Sequence, residues 1–310
     1  FVTTENDEKI FVYAEGDTSY PPSAEMPKSS YFFDTIIRQE PFDEDNLDAK
    51  DNAEEFTDIT DAELDRLARL AAELKDSPYC ITGNLGGTAI GDISLVTAPM
   101  LKKPRGIRDI EEWYMSTITR QDYLHEVFTK QVDVALRNLE KIHARVGDAI
   151  QVAYICGNDF GTQNSPFCSA ETFRELYAPH YKRINGWIHQ HTSWKTFKHS
   201  CGSIMPLIPE MIDAGFDIIN PVQWTANNMA VDKLKADFGK NIVFWGGGID
   251  TQKTLADGTP AEVRAEVFKV CEALSKDGGF VFNSIHNIQA LTPIENLVAM
   301  FAAVKEFNGA

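Results

Sequence analysis

The sequence has no CxxC pair. Its five cysteines, Cys80, Cys156, Cys168, Cys201 and Cys271, are odd in number and spread through 310 residues. So dilute a set is not a disulfide framework, and it fits a reducing cytoplasm. Long apolar runs are missing too. No stretch reaches the roughly 18 residues needed to cross a bilayer, and no charged-then-apolar leader opens the chain, so nothing points to a membrane. Positive charge is scarce: 29 Lys and Arg face 46 Asp and Glu, for a net charge of -17. With no basic stripe to displace counterions from a phosphate backbone, nucleic acid is excluded as a partner. An initial methionine is also lacking, and the strand-like Lys9-Ile10-Phe11-Val12-Tyr13 follows soon after Phe1, which reads as a start inside a longer protein whose N-terminal segment is missing.

What the sequence does hold is material for one large core, since 43% of it is hydrophobic. The expectation is a single domain over residues 1–310. Within it, residues 1–60 read as an edge hairpin followed by an acidic, solvated loop excursion from Asp43 to Asp61. From Thr60 the pattern turns helical, with Thr60 and Glu63 spaced as a capping box and Leu64, Leu67, Leu70 and Leu74 on one face as far as Lys75.

Residues 61–310 then alternate short apolar strands with capped helices, the signature of parallel βα units. The strands end in polar, glycine-flanked residues: Gly83-Asn84, Cys156-Gly157-Asn158-Asp159, His199-Ser200-Cys201-Gly202, Asn220-Pro221, Gly246-Gly247-Gly248 and Ser284-Ile285-His286. One helix is expected over about Ile110–Val146 and another near Ala170–Gln190. Thr259-Pro260-Ala261-Glu262 and Thr292-Pro293-Ile294-Glu295 each predict a Thr N-cap, a Pro at the first helical position and a Glu at the third. A doubly wound sheet competes, but polar groups at nearly every strand end suit the mouth of an α/β (β/α)8 TIM barrel.

His199-Ser200-Cys201-Gly202 carries the most chemistry. On a strand, residues two apart share a face, so His199 and Cys201 can converge on one zinc ion while Ser200 points away. His286, at the corresponding end of the last strand, is the candidate third ligand. The competing reading is a hydrogen-bonded imidazole beside a small buried thiol. Asp159 and Asn158 close the strand before, where Asp159 either orients substrate and holds a proton or caps a turn. Gln163, Asn220, Gln223 and Trp245 are mouth-facing candidates for substrate, and Trp194, Trp224, Trp245 and Phe160 for an aromatic slot. Asp250 reads as a helix cap. The other cysteines read as buried thiols, and His125, His143, His180, His189 and His191 as surface or packing residues.

The order of Cys156-Gly157-Asn158-Asp159-Phe160-Gly161-Thr162-Gln163, the run from Phe173 to Ile184, Gly248-Ile249-Asp250 and Thr292-Pro293-Ile294-Glu295-Asn296 resembles the uroporphyrinogen-decarboxylase superfamily over residues 60–310. That resemblance implies a (β/α)8 barrel and two branches of function. The decarboxylases use an arginine-rich N-terminal segment and an aspartate on the pyrrole nitrogens, neither of which is found here; this is the alternative, a cofactor-independent lyase. The corrinoid-dependent methyltransferases carry His-x-Cys-Gly and a third zinc ligand before a Thr-Pro helix start. His199, Cys201 and Gly202 match the first. His286, six residues before Thr292, stands where the coenzyme-thiol methyltransferases have Cys. A His, Cys, His set carries less negative charge than one with two thiolates and makes zinc the stronger Lewis acid. The resemblance therefore implies an O-demethylation methyltransferase, which takes a methyl group from a small-molecule donor, an aromatic methyl ether, to the Co(I) of a separate corrinoid (cobalamin-binding) protein.

Overall fold

The computed structural model describes residues 1–309. These fall into two compact units, one of Phe1–Gln151 with Arg174–Ser193 and one of Val152–Phe173 with the chain from Trp194 onward.

In the first unit, Val2–Glu5 (β1), Lys9–Tyr13 (β2), Ala24–Pro27 (β3) and Asp34–Thr35 (β4) pair antiparallel in that order, extending the expected hairpin to four strands. Helix α1 (Asp61–Glu73) starts where Thr60 predicts, and the Thr60 hydroxyl accepts the Glu63 N–H at 3.2 Å. Only half of the capping box forms, because the Glu63 carboxylate turns to Arg66. A short strand β5 (Thr82–Asn84) follows. The single helix expected over 110–146 is two, α2 (Ile110–Thr119) and α3 (Gln121–Val146), broken at Arg120 with φ -136° and ψ 46°. Both α1 and α4 (Ala178–His191) pack on α3, whose buried stripe Leu124, Phe128, Val132, Ala135, Leu139 and Ile142 follows the helical period.

The acidic stretch before α1 departs from the expected solvated excursion. Ala49 and Asn52 are buried, and the Asn52 amide binds the Ile107 backbone through both N–H and C=O. Arg108, 1% exposed, pairs with Glu55 through both guanidinium nitrogens and also donates to three backbone carbonyls. Around this buried anchor, Glu44 pairs with Arg120, Glu54 with Arg105, and Asp58 with Arg137 and Lys141. The acids that looked free are matched by arginines far along the chain, a spacing no local pattern displays.

His180 on α4 is 5% exposed, with its Nε2 3.1 Å from His125 Nδ1. Burial, then the neighbouring His125 and Arg183, push its pKa down from 6.5 to about 4. The folded chain therefore keeps His180 neutral where the unfolded chain takes up a proton. Stability from this residue is complete above pH 6.5 and falls as the pH drops toward 4. We expect a loss of roughly 2 kcal/mol across that window, after discounting for solvent screening. Urea unfolding of wild type and His180→Leu at pH 7 and pH 4.5 checks it: the wild type should lose more stability than the variant, and parallel losses would refute it.

In the second unit, Val152–Cys156 (β6), Lys195–His199 (β7), Ile218–Asn220 (β8), Val243–Trp245 (β9) and Phe280–Val281 (β10) form parallel neighbours in sequence order. Strands β6 to β9 end where the sequence places their polar ends, whereas β10 stops at Val281, short of Ser284. Helices α5 (Ile208–Asp213), α6 (Val231–Phe238), α7 (Pro260–Leu274) and α8 (Ile294–Phe307) alternate with them after β7. Thr259 forms the full capping box with Glu262, as expected. Thr292 does not cap α8: its hydroxyl donates to Gln289 O, which closes the preceding turn, and the helix begins a residue later behind Pro293. Ile249, Leu255, Val263, Val267, Cys271, Met300 and Ala303 knit α7 to α8, each large side chain contributing about 1.5–3 kcal/mol. The parallel α/β class is as expected, whereas an eight-stranded closed barrel is not formed among the described residues. The parallel strands of this unit number five among the described residues, β6 to β10, fewer than a closed eight-stranded ring needs.

Candidate metal centre

His199 ends β7 and Cys201 follows two residues later, so the pleat turns both side chains the same way. The His199 Nε2 and the Cys201 Sγ are 3.4 Å apart. His286, beyond β10, brings its ring to 6.2 Å from that of His199, and the three ligand atoms all lie within 4.8 Å of one another. Zinc bonds of about 2.0–2.1 Å to nitrogen and 2.3 Å to sulfur place a tetrahedral N···S pair roughly 3.6 Å apart. The donor set and its spacing fit that ion. The sequence-predicted triad is thus brought together, by residues from two different strands.

Asn220, at the end of β8, sets the tautomer. His199 Nδ1 lies 2.7 Å from Asn220 Oδ1, while the Asn220 Nδ2 donates to Trp245 O at 2.8 Å. With the amide oriented by that carbonyl, its oxygen faces the imidazole, Nδ1 carries the hydrogen, and Nε2 presents a lone pair to a metal. Asn220 therefore serves the ligand; both ends of its amide are committed. Replacing it by alanine is expected to weaken zinc affinity by roughly 10–100-fold, as measured by chelator competition, with little change in thermal midpoint. Unchanged affinity would show the tautomer is set by something else.

Burial holds the His199 pKa below its usual value, so the imidazole is neutral. Burial, then the Asp159 carboxylate, push the Cys201 thiol up to about 12. A metal ion must therefore displace the thiol proton on binding.

Asp159 stands against this cluster: its Oδ1 accepts the Cys201 N–H at 2.7 Å and lies 3.6 Å from His199 Nε2. Asn158 is buried, with its carbonyl on the Lys198 ammonium. Gln223 accepts the Gly202 N–H at 2.7 Å. A cavity of about 260 Å³ opens between Cys201 and His286, lined by Gln163, Gln223, Thr225, Thr251, Gln252 and Ile285 among others. Asp250 lines it too, but it is not the helix cap the sequence suggests: its Oδ1 accepts the Gln252 N–H within a turn, and Lys253 holds the cap position of the helical turn that starts at Thr254. Among the described residues, none of the aromatics anticipated for a substrate slot lines this cavity. Trp194 and Phe160 are core residues, Trp224 donates its indole N–H to Gly247 O, and Trp245 packs on Phe197 and is not among the lining residues.

Sequence reading overlooked Lys198 and the role of Asn220. The first had a signal: a lysine inside a parallel strand otherwise built for burial is anomalous.

Parallel βα units gathering two imidazoles, a thiol and a carboxylate near their C-terminal ends define an α/β protein with a strand-end cluster able to hold a metal ion. The model of the uroporphyrinogen decarboxylase (URO-D) family matches residues 35–307, and the chain belongs to that family. A solved methyltransferase from Methanosarcina mazei is 18% identical, with a TM-score of 0.56; the match covers 79% of this chain and 64% of that one, a likeness of fold. The chain thus spans just under two thirds of that protein's length. Comparison with curated proteins returns no match.

Proposed function

We propose that this chain is a cytoplasmic methyltransferase that moves a methyl group from a methyl ether to the Co(I) of a corrinoid carried by a separate protein, its strands forming part of the family's (β/α)8 barrel in one domain. The observation that carries the reading is the convergence of His199, Cys201 and His286. These three would hold a zinc ion, whose chemistry when bound is to draw electron density from the ether oxygen and so ease departure of a poor leaving group. The fold neighbour's being a methyltransferase supports the same class.

The chain's own residues have the remaining tasks. Asn220 orients His199. Asp159, with Oδ1 occupied by the Cys201 N–H, has its other oxygen to hold the proton that the departing alkoxide or phenoxide takes up. Gln163, Gln223, Thr225 and Thr251 offer amides and hydroxyls to a neutral donor in the cavity. Among the described residues, no lysine or arginine lines that cavity, which weighs against the alternative of a carboxylate-rich porphyrinogen substrate.

Plasma mass spectrometry on protein purified without added metal or affinity tag should find about one zinc per chain. Guaiacol, an aromatic ether, and 2-methoxyethanol, an aliphatic one, are then offered with chemically reduced cobalamin, and loss of the Co(I) absorbance is followed. Reproducible absence of metal, with added zinc not retained, would remove the basis of the proposal.

A further inference from the structure

Lys198 lies in β7 between Phe197 and His199, with no exposed surface. Its ammonium donates to Asn158 O at 2.5 Å and to His199 O, and sits 5.0 Å from the centre of the Phe160 ring. No carboxylate pairs with it among the described residues. Burying an ammonium on neutral partners costs stability that a methionine of similar length would not. A gain elsewhere must offset that cost, and the geometry locates it.

Along β7 and just beyond, alternate residues face opposite ways. Residues 199 and 201 face the metal cluster. Residues 198 and 200 face the turn that follows β6: Lys198 holds Asn158 by its carbonyl, and the Ser200 hydroxyl accepts the Phe160 N–H at 2.8 Å. Asp159 is the residue between these two grips. Phe160 is wedged below, edge-on to Phe173 at 5.0 Å, and Gly161 runs so close to Gly202 that a Cβ on either would sit under 3 Å from backbone atoms of the other strand's loop.

We infer that Lys198 is a positioning residue: by fixing the carbonyl of Asn158, it sets the Asn158–Phe160 turn so that Asp159 faces His199 and Cys201. Only a long side chain ending in several donors reaches that carbonyl from inside the sheet layer. The inference rests on the reading of His199, Cys201 and His286 as a metal centre with Asp159 beside it.

The zinc-loaded full chain and its Lys198→Met, Asp159→Asn and double variants separate the possibilities. Hydrogen exchange of the Cys201 amide, the group that Asp159 accepts, reports the placement of Asp159 without reference to methyl transfer. Lys198→Met should speed that exchange at least tenfold while amides of α7 keep their protection; unchanged protection at Cys201 overturns the proposal. Where methyl transfer is measurable, Lys198→Met should lower kcat tenfold or more, and the double variant should be within twofold of Asp159→Asn alone. Losses that multiply overturn it, because they would mean Lys198 acts apart from Asp159. Cobalt(II) substitution should leave the thiolate-to-metal absorption band of Lys198→Met intact, and loss of that band would mean that Lys198 supports the ligands instead. Should Lys198→Met fail to fold, Ser200→Ala removes the second grip and must speed exchange at Phe160 and Cys201. If the wild type transfers no methyl group, the functional reading fails while the exchange result still decides the role of Lys198.

Discussion

Cys201→Ala is expected to leave less than about a tenth of a zinc per chain and to abolish methyl transfer to Co(I) cobalamin, a loss of at least about a thousandfold, while the chain stays folded. The thiolate is the one anionic donor of the triad, and without it two neutral imidazoles remain, one of them on the exposed His286. Two neutral ligands do not compete with water and buffer for zinc at protein concentrations used in assay. The fold has no comparable dependence. Cys201 is only half-buried, its backbone N–H still reaches Asp159, and the cores of both units are built elsewhere. Metal analysis and a thermal melt on the same preparation make the test. Full zinc occupancy in Cys201→Ala would overturn the ligand assignment, and an unfolded variant with His199→Ala folded and metal-free would shift the assignment to the histidines.

Gly202→Ala is expected to be the most destabilising single-methyl change at the site. Gly202 has φ +88°, and a Cβ there would lie 2.4 Å from the Gly161 carbonyl and 2.6 Å from Thr162 O, all backbone atoms that cannot rotate away. Left-handed strain of about 1–3 kcal/mol and overpacking of about 1–3 kcal/mol add to roughly 4 kcal/mol. Gly278 separates the two terms: its φ is +79°, but nothing lies within 4 Å of an added Cβ. Gly278→Ala should therefore cost only the strain, about 1–3 kcal/mol. Urea unfolding of both variants decides. Equal costs would mean that the turn after β6 yields to Gly202, and with it that Asp159 is less tightly held than the geometry implies. Zinc content of Gly202→Ala should fall as well, since the N–H of residue 202 is fixed by Gln223 beside the ligand.

Local patterns made much of this molecule legible. The capping box at Thr259, the strand ends, and the pairing of His199 with Cys201 by a two-residue period were all readable because each depends on neighbours in sequence. His286 was found by position at the end of its strand, a weaker signal that the folded geometry brings within reach of the other two. What escaped reading depends on residues far apart. The break at Arg120 comes with a guanidinium drawn to Glu44 and Glu112, and the pairing of the half-buried Glu55 follows from the buried Arg108, 53 residues away. That the tryptophans do not line the described cavity has a related reason: a tryptophan's type says that it is large, but whether it lines a cavity or fills a core is settled by the packing of elements the local pattern does not describe. Thr292 shows the limit within a motif, where a nearer carbonyl took the hydroxyl that the cap required.

The acidic segment before α1 is held in two ways that respond differently to solution conditions. Its surface pairs with Arg120, Arg105, Arg137 and Lys141 weaken as mobile ions accumulate, whereas the Arg108–Glu55 and Asn52 contacts are shielded from salt by burial. Raising ionic strength therefore peels the segment from its ends toward a fixed midpoint at residues 52–55, and the first protease-sensitive bonds at high salt fall on the flanks of that midpoint.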